Sequence, residues 1–321
     1  MKAILERMHA GAQHRADALA ADAAGLGVDV SRLQGGARLI DAGVRAPGSI
    51  EAGRLYAECC LGGLGRVAVD PAPLGRAGIL EARVSVGQPL VACMASQYAG
   101  WKIQVGKFFA MGSGPARSLA AAEPLFQKYA LGSRADSAVL LLESGALPGA
   151  EVAGHVADRC GVPPERVTLV AASTGSLAGS IQIAARSVET ALHKLMELGF
   201  NMDAIVAGAG TCPVAPGHPD PLRAIGRTND AVLYGARVTL WASAGDEAIA
   251  AVIERLPSSS SKDFGVPFDE LFRAHGGDFY GIDPMLFSPA QVTVVNAATG
   301  RVFSAGAIVE KMLLQSFGLE P

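Results

Sequence analysis

One stretch of the chain, residues 167–199, constrains the fold more than any other. It reads VTLVAASTGSLAGSIQIAARSVETALHKLMELG, which is a short apolar run, a turn rich in serine, threonine and glycine, and a long segment of helical periodicity. The apolar run predicts a buried strand, and the segment after the turn predicts an amphipathic helix that ends at Gly199. A strand, a tight turn and a helix in this order are typical of α/β proteins.

The predicted helix has two different sides on a helical wheel. Its apolar side would pack against the protein and contains Ile181, Val188, Leu192 and Leu195. Polar helix faces are usually solvated, and the spacing alone predicts that this face is solvated too. An ion pair between Arg186 and Glu189, three residues apart, would then contribute about 0.2–0.5 kcal/mol. The polar side contains Arg186, Glu189, Thr190, His193 and Glu197.

Strands and helices are predicted to alternate along the rest of the chain, and a late hairpin is expected between residues 291 and 303. This pattern predicts a mixed α/β fold of α+β-like character, with a sheet that need not be purely parallel. Because 321 residues exceed what one core usually supports, we expect two α/β lobes with a substrate cleft between them. The boundary is placed between residues 165 and 166, although the lobes can exchange segments.

Charge and composition exclude several classes of protein. The formal net charge is -3 and no basic run occurs, which disfavours nucleic-acid binding. No apolar run approaches the roughly 18 residues of a membrane span, and charges interrupt the amino-terminal segment. The expectation is therefore a cytoplasmic protein without a membrane partner. Five cysteines without CxxC or Cys/His spacing indicate reduced thiols and no metal site.

Glycine-rich turns recur at GGLGRV (62–67), MGSGPARS (111–118) and STGSLAGS (173–180). Such turns can hold a phosphate or carboxylate on backbone N–H groups, or can simply need glycine for their geometry. None matches a dinucleotide or P-loop fingerprint. Met111 stands where a serine-hydrolase elbow around Ser113 would need its first glycine. The serine run at 257–268 is interpreted as a linker, with a mobile lid as the alternative.

Several segments together resemble one known family, methenyltetrahydromethanopterin cyclohydrolase. The similarity extends from residue 40 to residue 318 and keeps its spacing throughout. The segments are ASQYAGWKI (95–103), FFAMGSGPARSL (108–119), AARSVETALHKLMELGF (184–200), GRTND (226–230), DFGVPFDELF (263–272) and DFYGIDPMLFSPA (278–290).

The resemblance implies reversible hydrolysis of 5,10-methenyltetrahydromethanopterin to the 5-formyl compound in one-carbon metabolism, as in methanogens and methylotrophs. It implies no cofactor, no metal or nucleotide, and a homotrimer. It also implies that the catalytic residues are Arg186 and Glu189. A non-catalytic tetrahydropterin-binding protein is the alternative from a different class, and a serine amidase using the 173–180 turn is a third.

The chemistry of such a reaction calls for this pair of side chains. The bridging carbon of a cyclic amidinium is already electrophilic, so the reaction needs a positioned, deprotonated water. Glu189 can act as the general base, and Arg186 can keep it ionised, because a nearby cation favours the charged form of a carboxyl group. The same carboxyl group can then protonate the leaving arylamine nitrogen.

Further substrate contacts are expected from the resemblance together with residue type. The glycine-rich turns would form walls for the pterin and its phosphate-bearing tail, and His193 and Lys194 either touch the substrate or support the helix. The expected substrate-binding residues are Ser96, Gln97, Trp101, Gly112, Ser113, Gly114, Ser173, Thr174, Ser176, His193, Arg227, Thr228 and Asn229.

Overall fold

A computed structural model describes residues 1–278 and 281–319. The strands are β1 (Asp29–Arg32), β2 (Arg38–Gly43), β3 (Gly65–Leu74), β4 (Ala77–Val86), β5 (Trp101–Val105), β6 (Phe108–Ser113), β7 (Ala138–Glu143), β8 (Val167–Ala172), β9 (Ile205–Pro213), β10 (Arg237–Ala242), β11 (Gln291–Asn296) and β12 (Val302–Gly306). The α-helices are α1 (Lys2–Ala21), α2 (Ala23–Leu26), α3 (Ile50–Cys60), α4 (Ala116–Ala120), α5 (Pro124–Lys128), α6 (Ala150–Cys160), α7 (Leu177–Ala184), α8 (Ser187–Glu197), α9 (Pro221–Gly235), α10 (Asp246–Ile253), α11 (Phe268–Ala274) and α12 (Glu310–Phe317).

The described residues form two six-stranded sheets, each with parallel and antiparallel neighbours, and helices. This confirms the predicted mixed α/β class. The chain divides into two compact units, of which the first is Met1–Arg66 with Val91–Gln182 and the second is Val67–Leu90 with Ile183–Pro321. The boundary expected after residue 165 stays a prediction, because compactness does not show which segments fold independently.

The sheet of the first unit has the strand order β1-β2-β8-β7-β6-β5, and β2, β8 and β7 run parallel. Both of its faces are covered. Leu140 and Leu142 of β7 face one core, which α6 completes, while Val139 and Leu141 face the other core with α1 and α3. Burial on both faces explains why β7 and β8 are continuous apolar runs instead of alternating ones.

The sheet of the second unit has the order β12-β11-β10-β9-β4-β3. The strands β10 and β11 are parallel, whereas β9 with β10, β4 with β9, and β11 with β12 are antiparallel. The antiparallel pair β11 and β12 is the predicted late hairpin. The helix α8 packs on β9, β10 and β4, and α10 packs on β11 and β12. The helix α8 therefore lies on the inner strands of this sheet.

The helix predicted to run through to residue 199 is in fact two helices. The strand β8 is confirmed, but α7 ends at Ala184 and α8 begins at Ser187, with Arg186 as the N-cap residue at φ -85° and ψ 2°. The prediction of one continuous helix over residues 181–199 was therefore wrong. The prediction of a solvated polar face was also wrong, because Arg186 and Glu189 are buried.

The helix α9 was not expected from the sequence. Asp220 caps the helix by accepting a hydrogen bond from Leu222 N, and Pro221 occupies the first turn. Gly226, Thr228 and Asn229 have low helix propensity, so they obscured the periodicity. Gly226 is required by packing, because a Cβ atom there would lie 2.7 Å from Asp269 Cβ.

The serine run is neither a linker nor a free loop. Ser258–Ser260 form one turn of 3-10 helix. Ser258 Oγ donates to Leu233 O, and Ser261 Oγ donates to Asp283 Oδ2 at 2.7 Å. These hydroxyl groups fix the segment to the rest of the second unit, so the run of serines is explained by hydrogen bonding within the fold.

Two glycines of β9 set how closely α8 approaches the sheet. A Cβ atom at Gly208 would lie 2.7 Å from Val188 Cγ1, and one at Gly210 would lie 2.5 Å from Ser187 Oγ. Val188 and Ser187 belong to the first turn of α8 and are fully buried. The strand therefore carries no side chain where the helix rests.

We predict that Gly208→Ala lowers the free energy of unfolding by about 1–3 kcal/mol, because the β-branched Val188 cannot move aside cheaply. Urea denaturation measures the change. Gly78→Ala is the matched control, since Gly78 lies in β4 of the same sheet and a Cβ atom there meets nothing within 4 Å, and it should change stability by less than about 0.5 kcal/mol. Equal effects of the two substitutions would contradict this account of the helix contact.

Candidate active site

The first turn of α8 holds a buried pair of opposite charges. Arg186 is 8% exposed and Glu189 is 4% exposed, and Arg186 Nη1 lies 3.8 Å from Glu189 Oε2. The backbone connects the pair as well, because Thr190 N donates to Arg186 O at 2.9 Å. Glu189 lies in the first turn of the helix, where the helix dipole stabilises a negative charge. Both effects favour an ionised carboxylate in a site shielded from solvent.

Farther along α8, Lys194 is fully buried and fixes two distant segments to the helix. Its Nζ donates to Ser260 Oγ at 3.0 Å, to Pro257 O at 3.4 Å and to Met285 O. Burial lowers the pKa of Lys194 to about 8, while the charge of Asp283 acts in the opposite direction. These contacts give Lys194 the supporting role that the sequence left open.

His193 lies on α8 one turn after Glu189 and is partly buried. Its Nε2 atom is 3.9 Å from Glu197 Oε1, and Glu197 is in the last turn of the helix. Arg186, Glu189 and His193 are therefore the three predicted site residues that the structure brings together on one helix.

In the first unit, the carboxyl ends of the three parallel strands carry polar groups. At the end of β7, Glu143 Oε1 accepts from Thr174 Oγ1 at 2.6 Å, and its other oxygen accepts from Gln182 Nε2 at 3.3 Å. At the end of β2, the Asp41 carboxylate accepts four backbone N–H groups of residues 43–46. Ligands of α/β sheets bind at this edge, so Thr174 is at a position suited to binding.

The serines of the turn after β8 mainly stabilise the turn itself. Ser173 Oγ donates to Gly43 O at 3.0 Å, and Ser176 Oγ donates to Ser173 O at 2.8 Å while accepting from Gly179 N. These bonds fix the backbone of the turn. Whether its hydroxyl groups also contact a substrate stays a prediction.

Ser96 and Gln97 are fully buried at the end of a π-helix, Leu90–Gln97, a conformation that is common near functional sites. Arg117 holds this end in place. Its Nη1 donates to Met94 O and Ser96 O, and its guanidinium pairs with Glu123. The guanidinium also lies about 5 Å from the rings of two aromatic residues, Tyr98 (5.1 Å) and Phe126 (5.2 Å).

The Gly-Ser-Gly turn lies next to Ser96. Gly114 N donates to Ser96 O at 2.8 Å, and Ser113 Oγ is 3.5 Å from Cys60 Sγ. Gly112 pairs with Trp101 across β5 and β6. Trp101 is 6% exposed and belongs to the hydrophobic core beside α6, so its packing is accounted for without a ligand.

The GRTND segment lies on α9 and contacts other parts of the second unit. Arg227 Nε donates to Ser316 O at 3.1 Å, and Thr228 and Asn229 donate to backbone carbonyls of the preceding turn. Asp230, which the sequence analysis did not single out, accepts from Phe268 N at 2.9 Å and Ser316 Oγ at 2.6 Å. The segment therefore fixes α11 and α12 to α9.

Among residues 1–278 and 281–319, no group of three or more His, Cys, Asp or Glu side chains is arranged to hold a metal ion. No helix in the same residues has both the length and the apolar character that crossing a membrane requires. Phe279 and Tyr280 of the DFYGIDPMLFSPA segment lie outside the described residues.

The fold and the α8 pair define a mixed α/β protein with a buried carboxylate suited to general acid–base chemistry. The family model described as Cyclohydrolase (MCH) matches residues 8–317. The chain belongs to this family, which confirms the resemblance found in the sequence.

Curated relatives named methenyltetrahydromethanopterin cyclohydrolase cover most of the chain. The protein of Methylobacterium sp. (strain 4-46) is 47% identical over 94% of both chains, and that of Methylosinus trichosporium is 50% identical over 81% of this chain and 100% of its own. The protein of Methanothermobacter marburgensis is 41% identical over 99% of this chain and 98% of its own.

Three charged residues around these features were missed in the sequence: Glu143, Arg117 and Asp230. Glu143 could have been noticed, because it ends the apolar run AVLLLE at a strand terminus. Arg117 has its carboxylate partner six residues away, and Asp230 has a hydroxyl partner 86 residues away, and no local pattern in the sequence indicates these contacts.

Asp230 predicts a dependence of stability on pH. Burial raises its pKa to about 7 from an ordinary value of 3.8, against the opposing effect of its two hydrogen bonds. Between pH 4 and 7 the folded protein keeps a proton that the unfolded chain has lost, so stability should fall as the pH rises through this window. The expected loss is about 1–4 kcal/mol.

Asp230→Asn should flatten this dependence, because the amide keeps an acceptor for Phe268 N and carries no charge. Urea denaturation at several pH values between 4 and 7 measures it. Asp220→Asn, which changes an exposed carboxylate that caps α9, is the control and should leave the slope in place. An unchanged slope in Asp230→Asn would show that another group is responsible.

Proposed function

We propose that this protein hydrolyses 5,10-methenyltetrahydromethanopterin reversibly to 5-formyltetrahydromethanopterin. The observation that carries the proposal is the buried pair of Arg186 and Glu189 in the first turn of α8, in a chain whose relatives bear the name of this activity. The proposal places the protein in one-carbon metabolism of the kind used by methylotrophs and methanogens.

The first step is attack of water on the bridging carbon. The Glu189 carboxylate accepts one proton from the water as the oxygen bonds to the carbon. The positive charge of the amidinium is lost in this step, so the substrate itself favours attack. Arg186, 3.8 Å from the carboxylate, keeps Glu189 ionised and directed towards the attacking water. Burial strengthens the interaction between the two charges.

The second step breaks the bond between the bridging carbon and the arylamine nitrogen. That nitrogen leaves only when protonated, and Glu189 returns to it the proton just taken from water. The carbonyl of the formyl group then forms as the hydroxyl loses its proton. One carboxyl group thus serves as base and then as acid, and the step needs neither a metal nor a nucleotide.

The substrate-binding residues expected from the sequence, apart from His193, remain part of this proposal. Thr174, beside Glu143 at the strand edge, has a hydroxyl suited to the polar edge of a pterin. The turn at 173–176 and the Gly-Ser-Gly at 112–114 are proposed as walls of the site for the pterin and its phosphate-bearing tail. A cytoplasmic location and a homotrimer are proposed with them, and sedimentation of the purified protein tests the trimer.

We predict that Glu189→Gln lowers kcat by about 10²–10⁴ fold, because the amide cannot carry the proton. Substrate binding should remain, since the amide has nearly the same size. The loss of the substrate's absorbance measures turnover, and equilibrium titration measures binding. Glu254→Gln, an exposed glutamate just after α10, is the control and should keep the wild-type rate.

Two outcomes would contradict the proposal in different ways. Wild-type turnover by Glu189→Gln would contradict the mechanism while leaving the activity in place. Substrate binding without turnover by the wild-type protein would favour a non-catalytic tetrahydropterin-binding protein instead. The same assay with the tetrahydrofolate analogue measures how strictly the pterin is selected.

We further predict that exhaustive treatment with a metal chelator leaves kcat unchanged, because the attacking water is activated by Glu189. Metal content is measured on the same sample by elemental analysis. A loss of activity that is restored by adding back one divalent cation would contradict this part of the proposal.

A further inference from the structure

The proposed reaction, on which this inference rests, releases one proton in each turnover. The substrate is a cation and the formyl product is neutral, so the two hydrogens of water have different destinations. One passes through Glu189 to the leaving nitrogen, and the other leaves the hydroxyl as the carbonyl forms. Glu189 is again a carboxylate when the nitrogen has left, so it can accept this second proton. It must then pass the proton on before the next cycle.

A line of proton-carrying side chains begins at Glu189. Glu189, His193 and Glu197 are spaced i, i+4 and i+8 on α8, so they lie along one side of the helix with Cβ atoms about 5–6 Å apart at each step. Their exposure rises along the line. Glu189 is 4% exposed, and the side chains of His193 and Glu197 are 19% and 42% exposed. The line leads from a buried carboxylate to the surface.

The outer step of the line is close to hydrogen-bonding distance. His193 Nε2 and Glu197 Oε1 are 3.9 Å apart, and a small rotation of the exposed glutamate brings them within the 2.7–3.2 Å of a hydrogen bond. The inner step, across one helical turn, requires a single bridging water between His193 and Glu189. An imidazole group accepts and gives up protons near neutral pH.

Thr190, the neighbouring polar residue on this side of α8, makes a hydrogen bond within the helix instead. Thr190 Oγ1 donates to Ser187 O within the same helix at 2.9 Å.

The helix itself favours this direction of transfer. Glu189 is in the first turn of α8 and Glu197 is the last helical residue. The helix dipole favours negative charge at the first position and positive charge towards the second. A proton that moves from Glu189 towards Glu197 therefore moves in the direction that the field of the helix favours.

We propose that His193 and Glu197 form a relay that carries the proton released by hydrolysis from Glu189 to solvent. His193, expected from the sequence to contact the substrate, is thereby assigned to proton transfer instead. In the reverse reaction the same line supplies the proton from solvent.

The test uses His193→Gln in the full-length protein and varies only the concentration of imidazole buffer at fixed pH and ionic strength. In dilute buffer we expect kcat to fall by about tenfold, less than for loss of Glu189 because water alone still removes the proton slowly. Added imidazole should restore most of the lost rate, because the free base replaces the missing side chain. KM and the thermal midpoint of unfolding should stay near their wild-type values.

His14→Gln is the matched control, since His14 is exposed on α1, and its kcat should equal that of the wild type at every imidazole concentration. Glu197→Gln should lower kcat in dilute buffer. Adding it to His193→Gln should cause little further loss, because both residues act in one path.

Each outcome decides the proposal. An unchanged kcat for His193→Gln in dilute buffer would overturn the relay, and so would a raised KM with no effect of imidazole, which would instead support a substrate contact. Either result leaves the cyclohydrolase activity intact in the wild-type protein. Absence of turnover by the wild type would overturn the relay and the proposed function together.

Discussion

The buried contact between Arg186 and Glu189 is the constraint on which the rest of the second unit depends. A buried carboxylate is costly unless a positive partner and a favourable field compensate it. Arg186 supplies the partner, and the start of α8 supplies the field. The field is present because the chain breaks its helix at residues 185–186. The break creates a new helix start directly beside the carboxylate, which an unbroken helix would lack.

The packing beneath α8 also helps to hold the Glu189 carboxylate in place. Gly208 and Gly210 let the first turn of the helix rest on β9 without an intervening side chain, and Lys194 ties the other half to the segments around residues 257–260 and 285. The helix is thus supported at both ends. A site that depends on angstrom-level placement of one carboxylate benefits from rigid support of this kind.

Sequence reasoning captured the elements that depend on local patterns and missed those that depend on distant partners. The strand β8 was predicted because an apolar run followed by a turn is a strong local signal. The helix break at Arg186 was missed because no glycine or proline marks it between residues 181 and 198. The helix α9 was missed because packing against Asp269 requires a glycine inside it. Of the candidate site, the sequence supplied Arg186 and Glu189 through resemblance, but their burial required the fold.

The contacts of Lys194 have a consequence for how the protein is made. Its three acceptors lie 63, 66 and 91 residues later in the chain. A nascent chain that ends before residue 285 would therefore have to bury an ammonium group without all of its acceptors, which is unfavourable. The helix that carries Glu189 can reach its final packing only after residue 285 has emerged. During synthesis, maturation of this helix is thus tied to a segment 91 residues after Lys194.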